Sequence, residues 1–441
     1  MQTSHFPPEI YEQWITRLRH DRAALKVCAL ACREWAPLSQ RYLFEHVKVQ
    51  GAPRWLRFLR TLETSASMGT DIGRYIHNFE LVDIGIGYVV QKLFEDIALY
   101  AGHRHMPNVQ QLSLRDWNWA SMVDRAQDYD PISVPRRILK GLLPFEKLRG
   151  LELIDNFTRH PQIIPQLLTF FPFLSTVRIV GLRLSPDTPQ MELMPLETDI
   201  QVTLPINIQE LYFDRNSVQF PATYILDSIT RPPFQLSLRT LDVGRPEIPE
   251  SMGPDRMLRL AESAILALLG RATLRHLRIT YLFLHLVDLS RLPQLQSITL
   301  HWDIPPPSPR NELVFDDIRQ LFSSITGDLA LQDVELRFSL VQSHLIVRGP
   351  LLLAGLDAAL LRLHISCPAV TVHFHFSFYE FVSPRPRNSL PSIAPLLRDA
   401  TRHAVAAGLH ATVTSVTTFW SMPSNVEQET STEETDLSAR Y

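Results

Sequence analysis

Cysteine and glycine are scarce in this chain of 441 residues, which contains 3 cysteines and 16 glycines. Cys28 and Cys32 are one helical turn apart, whereas Cys367 is distant in the sequence. Because no Cys-x-x-Cys pair occurs, the sequence predicts neither a disulfide framework nor a structural zinc site. This pattern is typical of a reducing compartment, so we expect a cytoplasmic or nuclear protein, or one found in both.

Long apolar runs and a surplus of charge are also lacking. The longest apolar segments, 261–270 and 350–363, are each interrupted by an acidic residue and are too short to span a bilayer. The formal net charge is −3, with 43 basic and 46 acidic side chains. A protein that binds nucleic acid through phosphate contacts needs a basic surplus. We therefore expect neither a membrane nor a nucleic acid as partner.

Motifs that carry catalytic chemistry are missing as well. The chain has no Gly-rich phosphate loop, no G-x-S-x-G elbow and no H-E-x-x-H pair. Two His-x-His pairs, His103 with His105 and His373 with His375, have no third ligand of matching type nearby. The sequence thus predicts no enzyme, no catalytic residue, no metal site and no cofactor.

What the chain does have is a dense set of apolar side chains in residues 1–50. The Pro7-Pro8 pair suits the first turn of a helix, where Glu9 meets the positive end of the helix dipole. Helical spacing continues through two sets: Ile10, Trp14 and Leu18, then Leu25, Cys28, Cys32 and Trp35. We expect Pro37 to end the second helix. A unit this small buries a low fraction of its surface, so part of this apolar surface awaits a partner.

These residues carry a resemblance to a known family. The opening Phe6-Pro7-Pro8-Glu9-Ile10, the later Leu18, and the block from Leu25 to Cys32-Arg33-x-Trp35 resemble an F-box. The ending Tyr42-Leu43-Phe44-Glu45-His46-Val47 is similar to one common in large fungal F-box families. The resemblance covers about a tenth of the chain. Phe6 replaces the usual leucine, and Ala31 replaces the usual valine.

The resemblance implies a three-helix motif that docks on the Skp-type adaptor of a cullin–RING ubiquitin ligase. The adaptor-binding residues that it implies are Phe6, Pro7, Pro8, Glu9, Ile10, Ile15, Leu18, Leu25 and Trp35.

A short phrase recurs through the middle of the chain, in which a polar pair precedes an apolar-x-apolar triplet. Eight triplets begin at Leu112, Leu151, Val177, Leu211, Leu241, Leu277, Ile298 and Val334, at intervals of 21 to 39 residues. Most have a further apolar residue three positions upstream, as in the strands of leucine-rich repeats. Helices are expected in the intervals, at 89–100, 136–143, 162–171, 223–229, 256–269, 315–325 and 351–363.

These patterns predict an α/β fold in three parts. A small three-helix F-box-like motif at 1–50 precedes an irregular leucine-rich-repeat-like solenoid at 51–423, with further strands at 76–83 and 369–378. An ordinary α/β domain is the alternative to the solenoid. Residues 424–441 are acidic and rich in threonine and serine, so we expect them to be disordered.

Three tryptophans directly follow repeat strands, and they are candidates for binding a target protein. They are Trp117, Trp119 and Trp302. Exposed indoles at strand ends form hot spots of binding energy. The alternative is that these side chains cap the core.

Two functions are compatible with this organisation. One is the substrate-recognition subunit of an SCF-type ubiquitin ligase, which joins an unknown target protein to the adaptor and, through it, to the cullin and RING subunits. The other is a ligase-independent repeat scaffold whose degenerate F-box serves as an N-terminal cap, with Trp14, Ile15 and Leu25 packed on Trp55, Phe58 and Leu59.

Overall fold

The structure is a computed structural model. The residues that it describes are 7–84, 106–119, 143, 145–158, 163–184, 205–213, 220–244, 254–270, 273–303, 314–325, 329–340, 355–382, 393–421 and 430–438. The fold is mixed α/β, with a 13-stranded, mostly parallel sheet and a separate two-stranded sheet. The chain divides into two compact units, one formed mainly by residues 1–208 and the other mainly by residues 253–441.

The helices of the described residues are α1 (Pro8–Arg17), α2 (Arg22–Ala31), α3 (Trp35–Glu45), α4 (Ala52–Ser67), α5 (Ile163–Leu168), α6 (Phe220–Ile229), α7 (Pro254–Leu269), α8 (Val314–Ser323), α9 (Leu356–Ser366), α10 (Ala394–Ala400) and α11 (Arg402–Ala406). Short 3₁₀ segments lie at Ile72–Tyr75, Tyr281–Leu286 and Leu289–Arg291. Within the described part of the chain, no helix has the length and apolarity that crossing a membrane requires.

The strands are β1 (His46–Gln50), β2 (Asn78–Val82), β3 (Gln111–Arg115), β4 (Gly150–Ile154), β5 (Phe157–Thr158), β6 (Thr176–Val180), β7 (Arg183–Leu184), β8 (Ile206–Phe213), β9 (Phe234–Val243), β10 (His276–Thr280), β11 (Ser297–Asp303), β12 (Asp333–Leu340), β13 (Thr371–Val382), β14 (His410–Ser421) and β15 (Thr430–Asp436). Strands β5 and β7 form the small sheet, and the others follow one another in chain order.

All eight copies of the recurring phrase lie in strands. The upstream apolar residue of each copy is also buried, from Val109 in the first to Leu331 in the last. Five of the expected helices correspond to α5 through α9. The segment 89–100, and 136–143 apart from residue 143, lie outside the described residues.

In the first unit, β1, β2, β3, β4 and β6 pair in parallel, each with the next. Their register places Phe79, Leu112, Leu151 and Val177 in one line, and all four are buried. Alternate residues of a strand point to opposite faces, so the apolar-x-apolar phrase puts two side chains per strand into the core.

The same turn follows each of these strands. The first residue after the strand has a positive φ in every case: Gly51 at 79°, Asp83 at 43°, Asp116 at 57°, Asp155 at 52° and Gly181 at 64°. Glycine and aspartate are among the residues that tolerate this left-handed conformation. The same turn follows five successive strands of the ladder, so the backbone conformation repeats there as well as the sequence phrase.

These turns also connect neighbouring strands through the main chain. The N–H groups of Gly51, Asp83, Asp116 and Asp155 each donate to the carbonyl of the last residue in the next strand, at 2.8–3.0 Å. The turn therefore extends the parallel ladder by one residue.

In the second unit, β9 through β14 pair in parallel in chain order. One line of the register runs through Leu241, Leu277, Ile298, Val334, Val372 and Ala411. All six side chains are buried. The expected strand at 369–378 is thus β13, and the alternation of its side chains places Val372, Phe374 and Phe376 inside.

Two expectations about the ends of the chain are wrong. Residues 46–50, assigned to the helical motif, form β1 and pair with β2 in the sheet. Residues 430–436, assigned to a disordered tail, form β15 and pair antiparallel with β14. Composition misled the second expectation because a strand at a sheet edge is held by main-chain hydrogen bonds, and Leu437 supplies one buried anchor.

The turn at Gly181 gives a stability prediction. A Cβ there would lie 2.4 Å from Asp155 Oδ1, at a residue with φ of 64°. Replacing Gly181 by alanine should therefore lower the free energy of unfolding by about 2–3 kcal/mol. Urea denaturation of the full chain, followed by circular dichroism, measures the change.

Gly69 is the matched control, since its φ is 76° but no heavy atom would lie within 4 Å of an added Cβ. Gly69→Ala should cost only about 1 kcal/mol, the price of the left-handed backbone. Equal losses in the two variants would contradict the close contact with Asp155.

Candidate protein-interaction sites

The first candidate site is the three-helix segment α1–α3, whose helix ends follow from its sequence. Pro8 begins α1, with Glu9 in the first turn. Asp21 caps α2, because its Oδ1 accepts from the N–H groups of Ala23 at 3.0 Å and Ala24 at 2.9 Å. Pro8 in the first turn and the Asp21 cap thus mark where α1 and α2 begin.

The second helix ends earlier than the apolar spacing predicted. Helix α2 stops at Ala31 because Cys32 has an extended backbone, with φ of −153° and ψ of 159°. Trp35 begins α3 instead of ending α2, and Pro37 lies in the first turn of α3, where proline is tolerated. The expectation that Pro37 ends a helix is wrong for this reason.

The three helices enclose a core of their own. Its buried members are Ile15, Leu25, Cys28 and Leu43. Leu18, Ala29, Trp35, Leu38, Tyr42 and Phe44 pack against it. Ile15 and Leu25 were expected to face the adaptor, and the structure corrects this, because both are almost fully buried between the helices. They support the segment from within.

Polar contacts also join the helices. The hydroxyl oxygens of Thr16 in α1 and Tyr42 in α3 are 2.9 Å apart. Arg22 Nη2 donates to the Leu43 carbonyl at 3.1 Å, which connects α2 to α3. The Arg41–Glu12 ion pair at 3.4 Å is more than half exposed at both ends, so it contributes about 0–1 kcal/mol.

Apolar side chains remain exposed on the outside of this segment. Leu30 is 88% exposed and Val27 is 67% exposed, and they are three residues apart on α2. On α1, Trp14 is exposed while its ring packs edge-on against Tyr11, at 6.3 Å between centroids. Tyr11 lies 6.0 Å from Trp35 in turn.

Other expected adaptor residues are divided between surface and interior. Pro7 and Glu9 are exposed, and Ile10 is half-buried. Leu18 and Trp35 are half-buried against the core. Phe6 lies outside the described residues, as does the side chain of Pro8.

The three tryptophans expected to bind a target are all fully buried, so this expectation is wrong. Trp117 Nε1 donates to the Leu81 carbonyl at 3.3 Å, and Trp119 Nε1 donates to Asn156 Oδ1 at 3.1 Å. Trp302 stacks on Phe338, with ring centroids 5.0 Å apart and planes within 14°. The indoles of Trp117 and Trp119 turn inward, where a main-chain carbonyl and a side-chain amide oxygen accept from their N–H groups.

The buried side chain of Asn156 connects the carboxyl ends of β3 and β4. Its Nδ2 donates to the carbonyls of Leu114 at 2.8 Å and Ile154 at 3.1 Å. Trp117 occupies the equivalent place one repeat earlier, directly after Asp116, and donates to the register partner of Leu114, which is Leu81. A buried amide and a buried indole thus perform the same bridging role in adjacent repeats.

The second candidate site is the polar side of the sheet in the second unit. The middle residues of the recurring phrase lie in register on neighbouring strands, beside residues of β13 and β14. This polar row consists of Asp242, Arg278, Thr299, Glu335, His373 and Thr412. His373 is exposed and the other five are half-buried.

Hydrogen bonds join alternate neighbours along the polar row. Arg278 Nη1 donates to Asp242 Oδ2 at 3.1 Å, and Thr299 Oγ1 donates to Glu335 Oε2 at 3.2 Å. His373 Nδ1 and Thr412 Oγ1 are 2.8 Å apart. The row therefore presents both signs of charge in a fixed order. The sequence carries a signal for this row, because the x of most apolar-x-apolar triplets is polar, but the same alternation is typical of any solvated strand face.

The first unit has a corresponding row. Lys48 Nζ donates to Glu80 Oε1 at 2.9 Å across β1 and β2, and Arg178 Nη1 lies 3.6 Å from Glu152 Oε1 across β4 and β6. Arg115 Nε also approaches Glu80, at 3.4 Å. Each pair of opposite charges placed side by side on neighbouring strands stabilises the strand pairing by about 0.2–1 kcal/mol.

His375 lies next to the polar row on β13. Burial lowers the pKa of its imidazole below the usual value, and the nearby Arg337 guanidinium lowers it further, while Glu335 partly opposes the shift. These surroundings favour the neutral ring. In the described ranges, no three His, Cys, Asp or Glu side chains are grouped so that they could hold a metal ion.

No protein-family model matches this chain, and no curated protein matches it.

The aromatic stack at Trp302 gives a prediction for the core. Trp302, Phe338 and Phe376 lie in register on β11, β12 and β13, and Phe376 is 4.8 Å from Phe338. Trp302→Ala should lower the free energy of unfolding by about 3–5 kcal/mol, since it leaves a cavity beside the stack. Urea denaturation monitored by tryptophan fluorescence and circular dichroism measures it.

Phe173→Ala is the control, because Phe173 is 60% exposed and its loss should change stability by no more than about 0.5 kcal/mol. A similarly small loss for Trp302→Ala would mean that the indole is accessible after all, and the target-binding interpretation would return.

Proposed function

We propose that this protein is the substrate-recognition subunit of an SCF-type ubiquitin ligase. Helices α1–α3 dock on the Skp-type adaptor, and the repeat region binds a target protein. The chain performs no bond chemistry itself. It raises the effective concentration of the target at the ligase, where a separate enzyme transfers ubiquitin. The few cysteines are consistent with action in the cytoplasm, the nucleus or both.

The observation that carries this proposal is the exposed apolar surface of an otherwise closed three-helix segment. Ile15, Leu25, Cys28 and Leu43 form a complete small core, yet Val27 and Leu30 extend away from it. Burying a leucine or valine side chain contributes about 1.5–3 kcal/mol. Two such side chains, with Trp14 and Pro7, provide enough apolar surface for an adaptor of complementary shape.

The strand pattern supports a role for the rest of the chain as a leucine-rich-repeat-like solenoid. Strands that pair in parallel with their sequence neighbours, five of them followed by the same turn, are what such repeats require. The target would bind on the polar row instead of on the tryptophans. Its alternating charges suit a target surface with mixed charge, which gives specificity more than affinity.

The packing around Trp55 bears on the alternative, a ligase-independent scaffold with a capping F-box. That alternative expects Trp14, Ile15 and Leu25 to pack on Trp55, Phe58 and Leu59. Trp55 stacks on Phe58 at 6.1 Å and packs at a tilt against Phe79 at 5.4 Å. Ile15 and Leu25 belong to the separate core of α1–α3. This arrangement favours a docking role for the three helices.

The adaptor interaction is tested with a double substitution on α2. Val27→Asp with Leu30→Asp should weaken binding of the purified Skp-type adaptor by about 100-fold or more, because both side chains leave an apolar contact. Their high exposure means that the fold should survive. Isothermal titration calorimetry measures the affinity, and near-UV circular dichroism checks the fold.

Met68→Asp is the matched control, since Met68 is 75% exposed but lies outside α1–α3. It should bind the adaptor as tightly as the unmodified chain. If the folded unmodified chain does not bind the adaptor, the ligase role is wrong and the scaffold alternative is favoured.

The target site is tested separately by reversing two charges of the polar row. In Arg278→Glu with Glu335→Lys, we expect the proteins that co-isolate with the chain to be lost while the adaptor is retained. Arg231→Glu, an exposed change away from the row, is the control. Quantitative mass spectrometry compares the isolates. An unchanged set of co-isolated proteins in the double variant would exclude the polar row as the target site.

A further inference from the structure

Two imidazoles and a guanidinium lie side by side on three neighbouring strands of the second unit. The register pairs His301 of β11 with Arg337 of β12, and Arg337 with His375 of β13. Each of these residues lies two positions after a member of the polar row, so all three share that face of the sheet. These three residues are named the His–Arg row.

The His–Arg row is partly shielded from water, although it lies on the polar face. His301 is 4% exposed, and its register partner on β10, Thr280, is 1% exposed. His375 is half-buried, and the Arg337 side chain is 37% exposed. Burial disfavours the charged form of an imidazole because the charge loses its hydration. The row therefore holds two titratable side chains where a positive charge is unfavourable.

The guanidinium in the middle of the row adds to this effect. Neighbouring strands are about 4.8 Å apart, so each imidazole belongs to a strand directly beside that of Arg337. Glu335 partly offsets the guanidinium charge, since its Oε1 lies 2.8 Å from Arg337 Nε. Burial lowers the pKa of the His375 imidazole, the guanidinium lowers it further, and Glu335 opposes the shift. The surroundings of His375 thus resist its protonation.

The same face carries other charged or titratable side chains. Those described are Asp242, His276, Arg278, Asp333, His373, His410 and Glu434. Arg278 pairs with Asp242 at 3.1 Å, and Glu434 lies two strands from His375, roughly 10 Å away. Asp303 continues this face on β11, and its side chain is outside the described residues. Among the described side chains, Glu335 supplies the carboxylate in contact with Arg337.

Acid adds positive charge to the His–Arg row. Histidine is the side chain whose charge ordinarily changes between pH 5 and 8. With both imidazoles protonated, three cations stand side by side on β11, β12 and β13, and like charges on neighbouring strands weaken their pairing. Because His375 is less readily protonated in the folded chain than in the unfolded chain, its contribution to stability is complete above about pH 6.5 and is lost as the pH falls below that value.

We propose that the His–Arg row is an acid-sensitive switch built into the sheet. Protonation of His301 and His375 beside Arg337 reversibly loosens the pairing of β12 with β11 and β13, and the neutral imidazoles keep these strands in register. The polar row lies on the same strands, so the switch alters the surface proposed for target binding, and that consequence rests on the proposed function. The switch itself requires neither the adaptor nor a target.

Hydrogen exchange of the full chain tests the switch without adaptor or target, at about pH 7.5 and about pH 5.5, toward either end of the histidine range. After correction for intrinsic exchange, we expect the protection of the amides in 333–340 to fall about tenfold at the lower pH, because the cations repel one another. The amides in 150–154 are the internal reference, since the described register partners of β4 include no histidine. Their protection should fall no more than about twofold.

The variant His301→Gln with His375→Gln keeps polar side chains in the row and removes both titrations. Its protection in 333–340 should differ by no more than about twofold between the two pH values. His410→Gln is the matched control, because His410 is an exposed histidine of the neighbouring strand β14. It should lose protection as the unmodified chain does. Equal losses in the double variant and the unmodified chain would overturn the proposal.

Arg337 offers an independent pair of variants, which tests the switch even where the double variant does not fold. Arg337→Gln removes the central cation and should reduce the acid-induced loss to about threefold or less, whereas Arg337→Lys keeps the charge and should retain the tenfold loss. Equal losses in these two variants would overturn the proposal. So would the absence of any loss in the unmodified chain, or a loss that does not reverse when the pH is raised again.

Discussion

Parallel main-chain pairing between successive strands is the constraint on which the rest of this structure depends. Each strand must expose its N–H and C=O groups in register with the next, and the turn after it must continue that ladder. The N–H groups of the residues that follow β1 to β4, namely Gly51, Asp83, Asp116 and Asp155, meet this requirement by donating to the next strand. Once the register of the ladder is fixed, alternate side chains of each strand must point to opposite faces of the sheet. One face then forms the core, and the other carries the polar row.

The division of side chains between core and surface explains which residues can bind other proteins. The large aromatics sit in the ladder, where Trp302, Phe338 and Phe376 stack across three strands. The surface of the same sheet is left with small and charged side chains. The segment α1–α3 has the opposite arrangement. Four small or medium-sized apolar residues are buried in its core, while the apolar side chains of Trp14, Val27 and Leu30 are exposed. The proposed apolar docking surface and the proposed polar recognition surface thus lie in different parts of the chain.

Much of the fold could be predicted because its signal is local. A triplet such as Leu277-Arg278-Ile279 predicts a strand by its alternation, and the structure places it in β10. The site was harder to predict. Ile15, Leu25, Trp117, Trp119 and Trp302 are of residue types that are common in binding sites, yet each of them is buried. Apolar character indicates that a side chain leaves water, but not whether it does so in its own core or against a partner.

The sequence by itself determined the strand and helix pattern, the apolar face of each strand and the apolar content of the N-terminal helices. It did so because periodicity of two or of 3.6 is a property of neighbouring residues. Only the tertiary structure decided that α2 ends at Ala31, that Val27 and Leu30 are the exposed pair, and that residues 430–436 form a strand. Those outcomes depend on register and on contacts between residues distant in the chain, and on hydrogen bonds of the main chain, which no side-chain pattern records.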